Sequence, residues 1–198
     1  MCSRFQLELT PRDAMARFGL AEPPPWPDVA EARPTDNVLA VRGGRARLVR
    51  WGMAVDWDKR PLINARAETL TQRPAFRRLL GSGGRVLVPA TAWWEWQVGP
   101  DGKSRTRMRL SRADGGVMAL AGLFDGQALV IVTCAPAPSI AHVHDRMPVI
   151  LPPEAEAPWA DPTVPFAAVE HTLRPFDGDL IAVPDSAPGG GNQGDLFG

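Results

Sequence analysis

The chain reads as an α+β domain built on a curved, largely antiparallel sheet or open β-barrel with short flanking helices. Three observations predict this. Short apolar stretches recur at close intervals and are punctuated by Gly-containing turns, the pattern of small all-β cores. The few segments that carry helix start and stop signals are short. At 198 residues, 44% of them apolar, the chain is long enough for one sizeable core.

Taken in order, Thr10-Pro11-Arg12-Asp13 supplies a capping hydroxyl, a first-turn proline and an early carboxylate, which predicts a helix to about Phe18. The proline-rich stretch 22–34 is then a loop. Residues 38–42 and 46–51 read as strands joined through Gly43-Gly44, and 56–61 as a polar turn. Residues 74–80 predict a short helix stopped by Gly81. Strands follow at 85–89 and 91–98, and in the second, period-two alternation puts Trp93, Glu95 and Gln97 on one face and Trp94 and Trp96 on the other. In 105–110, Arg105, Arg107 and Arg109 alternate with Thr106, Met108 and Leu110, giving a half-buried strand with a cationic outer face. Residues 117–123 and 128–133 are strands separated by the turn Asp125-Gly126. Short helices are expected at 136–142 and 153–159, and a last strand at 180–183. The folded domain therefore spans residues 1–184, and 185–198, rich in Gly and Pro, read as a flexible tail.

The net charge of zero hides a segregation: residues 42–112 hold 16 basic and 5 acidic side chains, and residues 113–198 hold 2 and 11. Fourteen of those 16 are arginine, whose planar fork suits phosphate better than a lysine does. The block reads either as a nucleic-acid groove or as a solvated arginine-rich face. No apolar run approaches the roughly 20 residues of a membrane-spanning helix and nothing resembles a signal peptide, so a cytoplasmic or nucleoid-associated protein is expected, monomeric by default. Cys2 and Cys134 are too few for a disulfide framework, and Cys134 sits in an apolar strand. No Cys/His cluster has metal-ligand spacing, so neither metal nor cofactor is expected.

Cys2 is the residue with distinctive chemistry. Removal of Met1, which a small residue at position 2 permits, would leave an amine and a thiol on adjacent carbons. Such a pair condenses with an aldehyde to an imine, and the sulfur then closes a thiazolidine ring. With an ordinary amine pKa near 8, about a tenth of the amine is already neutral at pH 7. An incidental cysteine in a frayed terminus is the other reading.

Four stretches stand beside this residue: Met1-Cys2-Ser3-Arg4-Phe5, Ile63-Asn64-Ala65-Arg66-Ala67-Glu68-Thr69, Trp93-Trp94-Glu95-Trp96 and His144-Asp145-Arg146-Met147-Pro148-Val149-Ile150-Leu151. In that order and spacing they resemble the SOS response-associated peptidase family, over about three quarters of the chain. The resemblance implies a sensor of abasic sites in single-stranded DNA that crosslinks to the lesion through Cys2, with lyase chemistry also within reach. His144 matches the acid/base that opens the closed sugar. Glu95 matches a proton shuttle, and its tryptophan neighbours should raise its pKa. Asn64 matches a residue that holds the amine or a sugar oxygen. Arg4, Arg66 and Arg146 match positions that grip the flanking phosphates, with Arg73 a further candidate, while Trp57 and Trp96 offer faces for stacking on bases. Read alone, His144 is equally a clip on Asp145, Asn64 a turn residue and each arginine an ion-pair partner. There are two departures: Ser3 stands where the family usually has Gly, and the family's closing Val-Asn pair is not recognisable after Leu151.

The end of the chain, Gln193-Gly194-Asp195-Leu196-Phe197, resembles the peptide that docks bacterial repair proteins onto the sliding clamp. There Leu196 and Phe197 would fill an apolar pocket with Gln193 hydrogen-bonding beside them; a chance match is the alternative. Two rival functions share some of these residues. Cys2 suits a peptidase nucleophile, and the basic block with the tail suits a non-catalytic module for single strands and the clamp.

Overall fold

The computed structural model describes residues 2–56, 58–81 and 83–185. The chain runs through β1 (Phe5–Gln6), α1 (Pro11–Phe18), β2 (Glu31–Ala32), the hairpin of β3 (Asn37–Arg42) and β4 (Arg45–Trp51), then β5 (Met53–Val55), β6 (Asp58–Leu62) and β7 (Asn64–Arg66). After α2 (Pro74–Gly81) come β8 (Arg85–Ala90), β9 (Ala92–Val98), β10 (Arg105–Arg112), β11 (Met118–Phe124) and β12 (Ala128–Cys134). Short strands β13 (Met147–Pro148) and β14 (Ile150–Leu151), helices α3 (Pro153–Ala160) and α4 (Phe166–Val169), and β15 (Leu180–Pro184) follow. The expected α+β architecture is present, and the strand pairing goes further than an open barrel. β12, β4, β3, β8 and β11 pair in turn and β11 returns to β12, so five strands close into a ring. Closure leaves that ring no unpaired edge.

A second, five-stranded sheet in the order β15-β10-β9-β1-β2 stands beside the ring. The two are joined by an aromatic contact: Phe5 of β1 sits with its ring centroid 5.0 Å from that of Trp51 of β4, and both side chains are buried. Trp51 satisfies its indole by donating to the Ile63 carbonyl at 2.9 Å. Cys134 is a buried, unpaired core residue, and burial pushes its thiol up to about 12.

Local chemistry accounts for the helices. Thr10 Oγ1 accepts from the Asp13 amide at 3.1 Å, Pro11 occupies the first turn, and Gly19 ends α1 in the left-handed region at φ 59°, which only glycine enters freely. Arg17 of α1 forks onto Glu156 of α3 at 2.8 and 2.5 Å. Three segments depart from the sequence expectation. The 22–34 loop contains β2, because Gln6 and Phe5 offer it a strand to pair with, and the supposed turn at 56–61 contains most of β6, which folds back on β5. The helix expected at 136–142 is a single 3₁₀ turn, Pro138–Ile140.

Part of the arginine block is structural. Arg85 is wholly buried and donates through Nη2 to the carbonyls of Asp161 and Val164 at 2.6 and 2.5 Å, with its guanidinium 5.8 Å from the Trp159 ring. It ties the segment after α3 to β8. Replacing it leaves the Val164 carbonyl without this donor and the Asp161 carbonyl with the Val164 amide at 3.3 Å, so Arg85→Met should lose about 2 kcal/mol of stability in urea unfolding, with the fold otherwise intact by circular dichroism. An unchanged midpoint would show those contacts to be dispensable.

Candidate active site

β12 organises the site by changing partners along its length. Its first half pairs with β4 and β11 inside the ring. Its second half pairs with β7 on one side, Thr133 opposite Arg66, and with β13 on the other, Cys134 opposite Met147. Asn64 and Arg66 therefore rise from one edge, and the loop carrying His144 and Arg146 from the other.

The N-terminal strand enters between them. Phe5 pairs with Trp93, and the Arg4 carbonyl accepts from the Trp94 amide at 3.0 Å and faces Cys2 Sγ at 3.8 Å. Asn64 Nδ2 donates to the Cys2 carbonyl at 2.8 Å, so the second residue of the chain is held from both sheets and fully buried. Among the described residues the single non-glycine with positive φ is Thr35, so the backbone at Ser3 lies outside the left-handed region that favours glycine. Burial pushes the Cys2 thiol far above its ordinary value, and the nearby Glu95 charge adds to the effect. The sulfur is a neutral thiol.

Alternation along β9 places its side chains as expected. Gln97 Nε2 donates to the His142 carbonyl at 3.2 Å, and Glu95, also buried, lies with Oε2 3.8 Å from His144 Nε2. Burial raises the Glu95 carboxyl to about 7, with the positive charge of the chain's amino terminus acting against it. Burial also lowers the His144 pKa, which keeps the ring neutral at pH 7. His144 Nδ1 accepts from the Arg146 amide at 3.0 Å, which leaves the proton on Nε2, facing Glu95. Asp145 Oδ1 also approaches Nδ1, at 2.9 Å, but it can bond only to a protonated Nδ1. Asp145 is largely exposed, and with a neutral ring the backbone amide keeps the lone pair.

The arginines fall into two groups. Arg66 and Arg73 are exposed and line a groove of about 590 Å³ with Asn64, Leu62 and Phe76. Arg4 and Arg146 are already engaged. Arg4 Nη1 binds Glu31 Oε1 at 2.6 Å, and Glu31 also receives Arg107, which lies over the Trp94 ring and beside Asp185. Burial works to raise the Glu31 pKa, but hydrogen bonds from Arg4 and Arg107 outweigh it and lower it. Arg146 forks onto Glu68 at 2.7 and 2.9 Å. Trp96 is 44% exposed and alternates to the sheet face opposite Glu95, alongside Arg107, so it is not in the Cys2 pocket. Trp57, Gln193, Leu196 and Phe197 lie outside the described residues.

Sequence reasoning assigned no role to Glu31, Glu68, Arg107 or Asp185. Glu68 stood within a quoted motif, four residues after Asn64. Glu31 stood in a proline-rich stretch with no periodicity to mark it.

The fold is shared with solved proteins: one from Bordetella bronchiseptica aligns with a TM-score of 0.80 at 25% identity over 93% of this chain and 99% of that one. Another from Bacteroides thetaiotaomicron gives 0.76 at 21% identity over 93% of each. The chain belongs to the SOS response associated peptidase family, whose model matches residues 1–186; the match runs past Leu151, where the likeness of motifs faded. The abasic site processing protein YoaM of Bacillus subtilis is 36% identical over 90% of this chain and 88% of its own. The abasic site processing protein YedK of Escherichia coli is 35% identical over 56% and 53%, and HMCES of Rattus norvegicus, also an abasic site processing protein, 26% over 81% and 64%. No helix among the described residues is long and apolar enough to cross a membrane.

The raised Glu95 pKa has a measurable sign. The folded protein keeps this proton up to about pH 7, whereas an unfolded carboxyl releases it near 4.5. Its contribution to stability is therefore fullest below 4.5 and declines as pH rises to about 7. Glu95→Gln removes that decline, so the variant should gain on the wild type between those pH values, by on the order of 2 to 3 kcal/mol, and stay level above them. Urea unfolding at pH 4.5 and pH 8 measures this; parallel pH profiles would mean an ordinary carboxylate.

Proposed function

We propose that the protein recognises abasic sites in single-stranded DNA and caps them covalently through Cys2. The observation that carries this is the setting of Cys2, buried, with its carbonyl held by Asn64 and its pKa answering to Glu95. The names of the relatives point the same way.

The chemistry follows from the protonation states. With Met1 removed, the Cys2 amine is the first nucleophile. As the closed sugar opens, the Glu95 carboxylate takes the proton of the anomeric hydroxyl, and the ring oxygen is protonated by His144 in its imidazolium form, which solvent replenishes. The amine adds to the aldehyde carbon, its nitrogen passing a proton to the new alkoxide, and the Glu95 carboxylic acid, whose pKa burial raises to about 7, gives the proton with which water leaves. The Cys2 thiol then adds to the iminium carbon and returns its proton to the Glu95 carboxylate, closing the thiazolidine. Glu95 thus takes a proton from the sugar, gives one to the leaving water and takes another from the thiol. Lyase cleavage would instead draw on the iminium before the sulfur closes.

The neutral thiol favours this order over peptide cleavage. A peptidase needs a thiolate, and burial beside a carboxylate opposes one. An iminium carbon is electrophilic enough for a thiol that sheds its proton as it adds.

The groove beside Asn64, with Arg66 and Arg73, gives the strand its path. Arg146 would contribute once its carboxylate yields, Arg4 while it keeps its bond to Glu31, and Trp96 would stack only on a base away from the lesion. On sequence alone we assign Gln193, Leu196 and Phe197 to clamp docking, and place the protein in the cytoplasm at the nucleoid.

Intact-mass spectrometry before and after incubation with a single-stranded oligonucleotide bearing one abasic site tests the proposal. The purified protein should lack Met1 and gain one oligonucleotide; Cys2→Ala should gain none. His144→Ala and Glu95→Ala should slow the adduct about a hundredfold or more. Cys2-dependent peptide cleavage with no adduct would establish the peptidase instead, and retained Met1 with no adduct a binding module.

A further inference from the structure

Among the predicted phosphate-gripping arginines, Arg146 has the most asymmetric surroundings. From beneath, its Nη2 donates to the Thr133 carbonyl at 2.6 Å and to Thr133 Oγ1 at 3.2 Å, on a strand residue with no exposure. From above, Glu68 takes the fork of Nη1 and Nη2 with both carboxylate oxygens at 2.7 and 2.9 Å. The Arg146 side chain is 13% exposed and that of Glu68 52%. The guanidinium is therefore anchored by the core, while its carboxylate cover is free to swing into water. A carboxylate bound to both Nη atoms occupies the geometry a phosphodiester would use.

We propose that Glu68 is an internal stand-in for a DNA phosphate on Arg146, and so a specificity-determining residue that keeps affinity for undamaged single strands low. The proposal rests on the single-strand reading of this site. Binding an ordinary strand here exchanges one anion for another on the same fork, which gains little. The displaced carboxylate also stays near the strand, because it follows Arg66 by two residues and Arg66 is paired in register with Thr133. A lesion-bearing strand bears the same cost but is then retained by the covalent bond to Cys2. Discrimination thus comes from keeping reversible binding weak. The Arg146 hydrogen bonds hold the Glu68 pKa below its ordinary value, so the cover stays ionised at neutral pH and responds to strand and salt rather than to pH.

Glu31 offers a contrast. It is shared by two arginines and 23% exposed, it pairs in register with Gln6 of β1, and its release would loosen the strand behind Cys2. It reads as a fastener, whereas Glu68 is a movable cover.

Fluorescence anisotropy with a labelled, undamaged single-stranded oligonucleotide over a series of salt concentrations tests the idea. Glu68→Gln should bind about tenfold tighter at low salt, and its plot of log affinity against log salt should steepen by roughly 0.7, one phosphate contact on a single strand. In an Arg146→Ala background the same substitution should gain nothing. Unchanged affinity and slope, weaker binding, or a gain that survives without Arg146 would each overturn the proposal; the last would reveal a net-charge effect. Should the Gln variant fail to fold by thermal melting, Glu68→Ala carries the same expectation. Crosslinking of the wild type to abasic DNA, run in parallel, separates the two readings. Wild-type adducts with no change in Glu68→Gln would remove the stand-in alone, and tighter Glu68→Gln binding with no wild-type adduct would remove the lesion chemistry alone.

Discussion

Phe5 lies against Trp51 while its backbone pairs with Trp93, so a chain end that would ordinarily fray is fixed between two sheets. The site depends on that constraint. An N-terminal nucleophile is attached at one side only, and without burial its amine and thiol would sample many orientations at an entropic cost of about 1 to 2 kcal/mol for each residue to be ordered. Here the cost is met during folding, by the Phe5 contact, the β1 pairing and the Asn64 bond to the Cys2 carbonyl. Asn64 is positioned by β12, the same strand that leads into the His144 loop, so the residue that holds Cys2 and His144 share one frame.

Burial then sets the chemistry. The same exclusion of water raises the thiol, raises the Glu95 carboxyl and lowers the imidazole. Each group is pushed toward its neutral form. Such a site is poorly suited to a standing thiolate and better suited to passing protons between Glu95 and His144 while the thiol keeps its own. Under the proposed chemistry it also accounts for one group of the Cys2 pair staying inert until the other has acted: a buried thiol beside a carboxylate resists oxidation and stray alkylation, yet would stand ready for an electrophile formed on its own amine.

Much of this was legible in the sequence, for physical reasons that differ by element. The strands at 85–98 and 105–134 declare themselves by period-two alternation or continuous apolar runs, and α1 by its cap and proline, because these signals are local. Glu95 could be placed on the same face as Gln97 from alternation alone. What the sequence could not show is non-local. β2 forms in a proline-rich stretch because β1 offers an edge, and the ring closes because β11 and β12 return to each other. The pairing of Arg4 with Glu31 spans 27 residues and that of Arg146 with Glu68 spans 78; no local pattern encodes either. The likeness to a known family supplied the roles of Cys2, Asn64 and His144, which spacing alone left open.

The arginine block shows why charge counting could not choose between a groove and a solvated face. Arg85 is spent on two carbonyls of the core, Arg107 on Glu31, Asp185 and the face of Trp94, and Arg42 on the Gly83 carbonyl. A lysine could not set two separate planar nitrogens against Glu31 and Asp185 as Arg107 does, so the preference for arginine reflects architecture as much as ligand. Other cations of the block stay exposed, Arg66 and Arg73 among them beside Asn64. Only the charge spent internally is withdrawn from the long-range attraction for DNA. On the proposed function, the hold on a lesion would rest on the bond made there by Cys2, whose carbonyl Asn64 keeps in place.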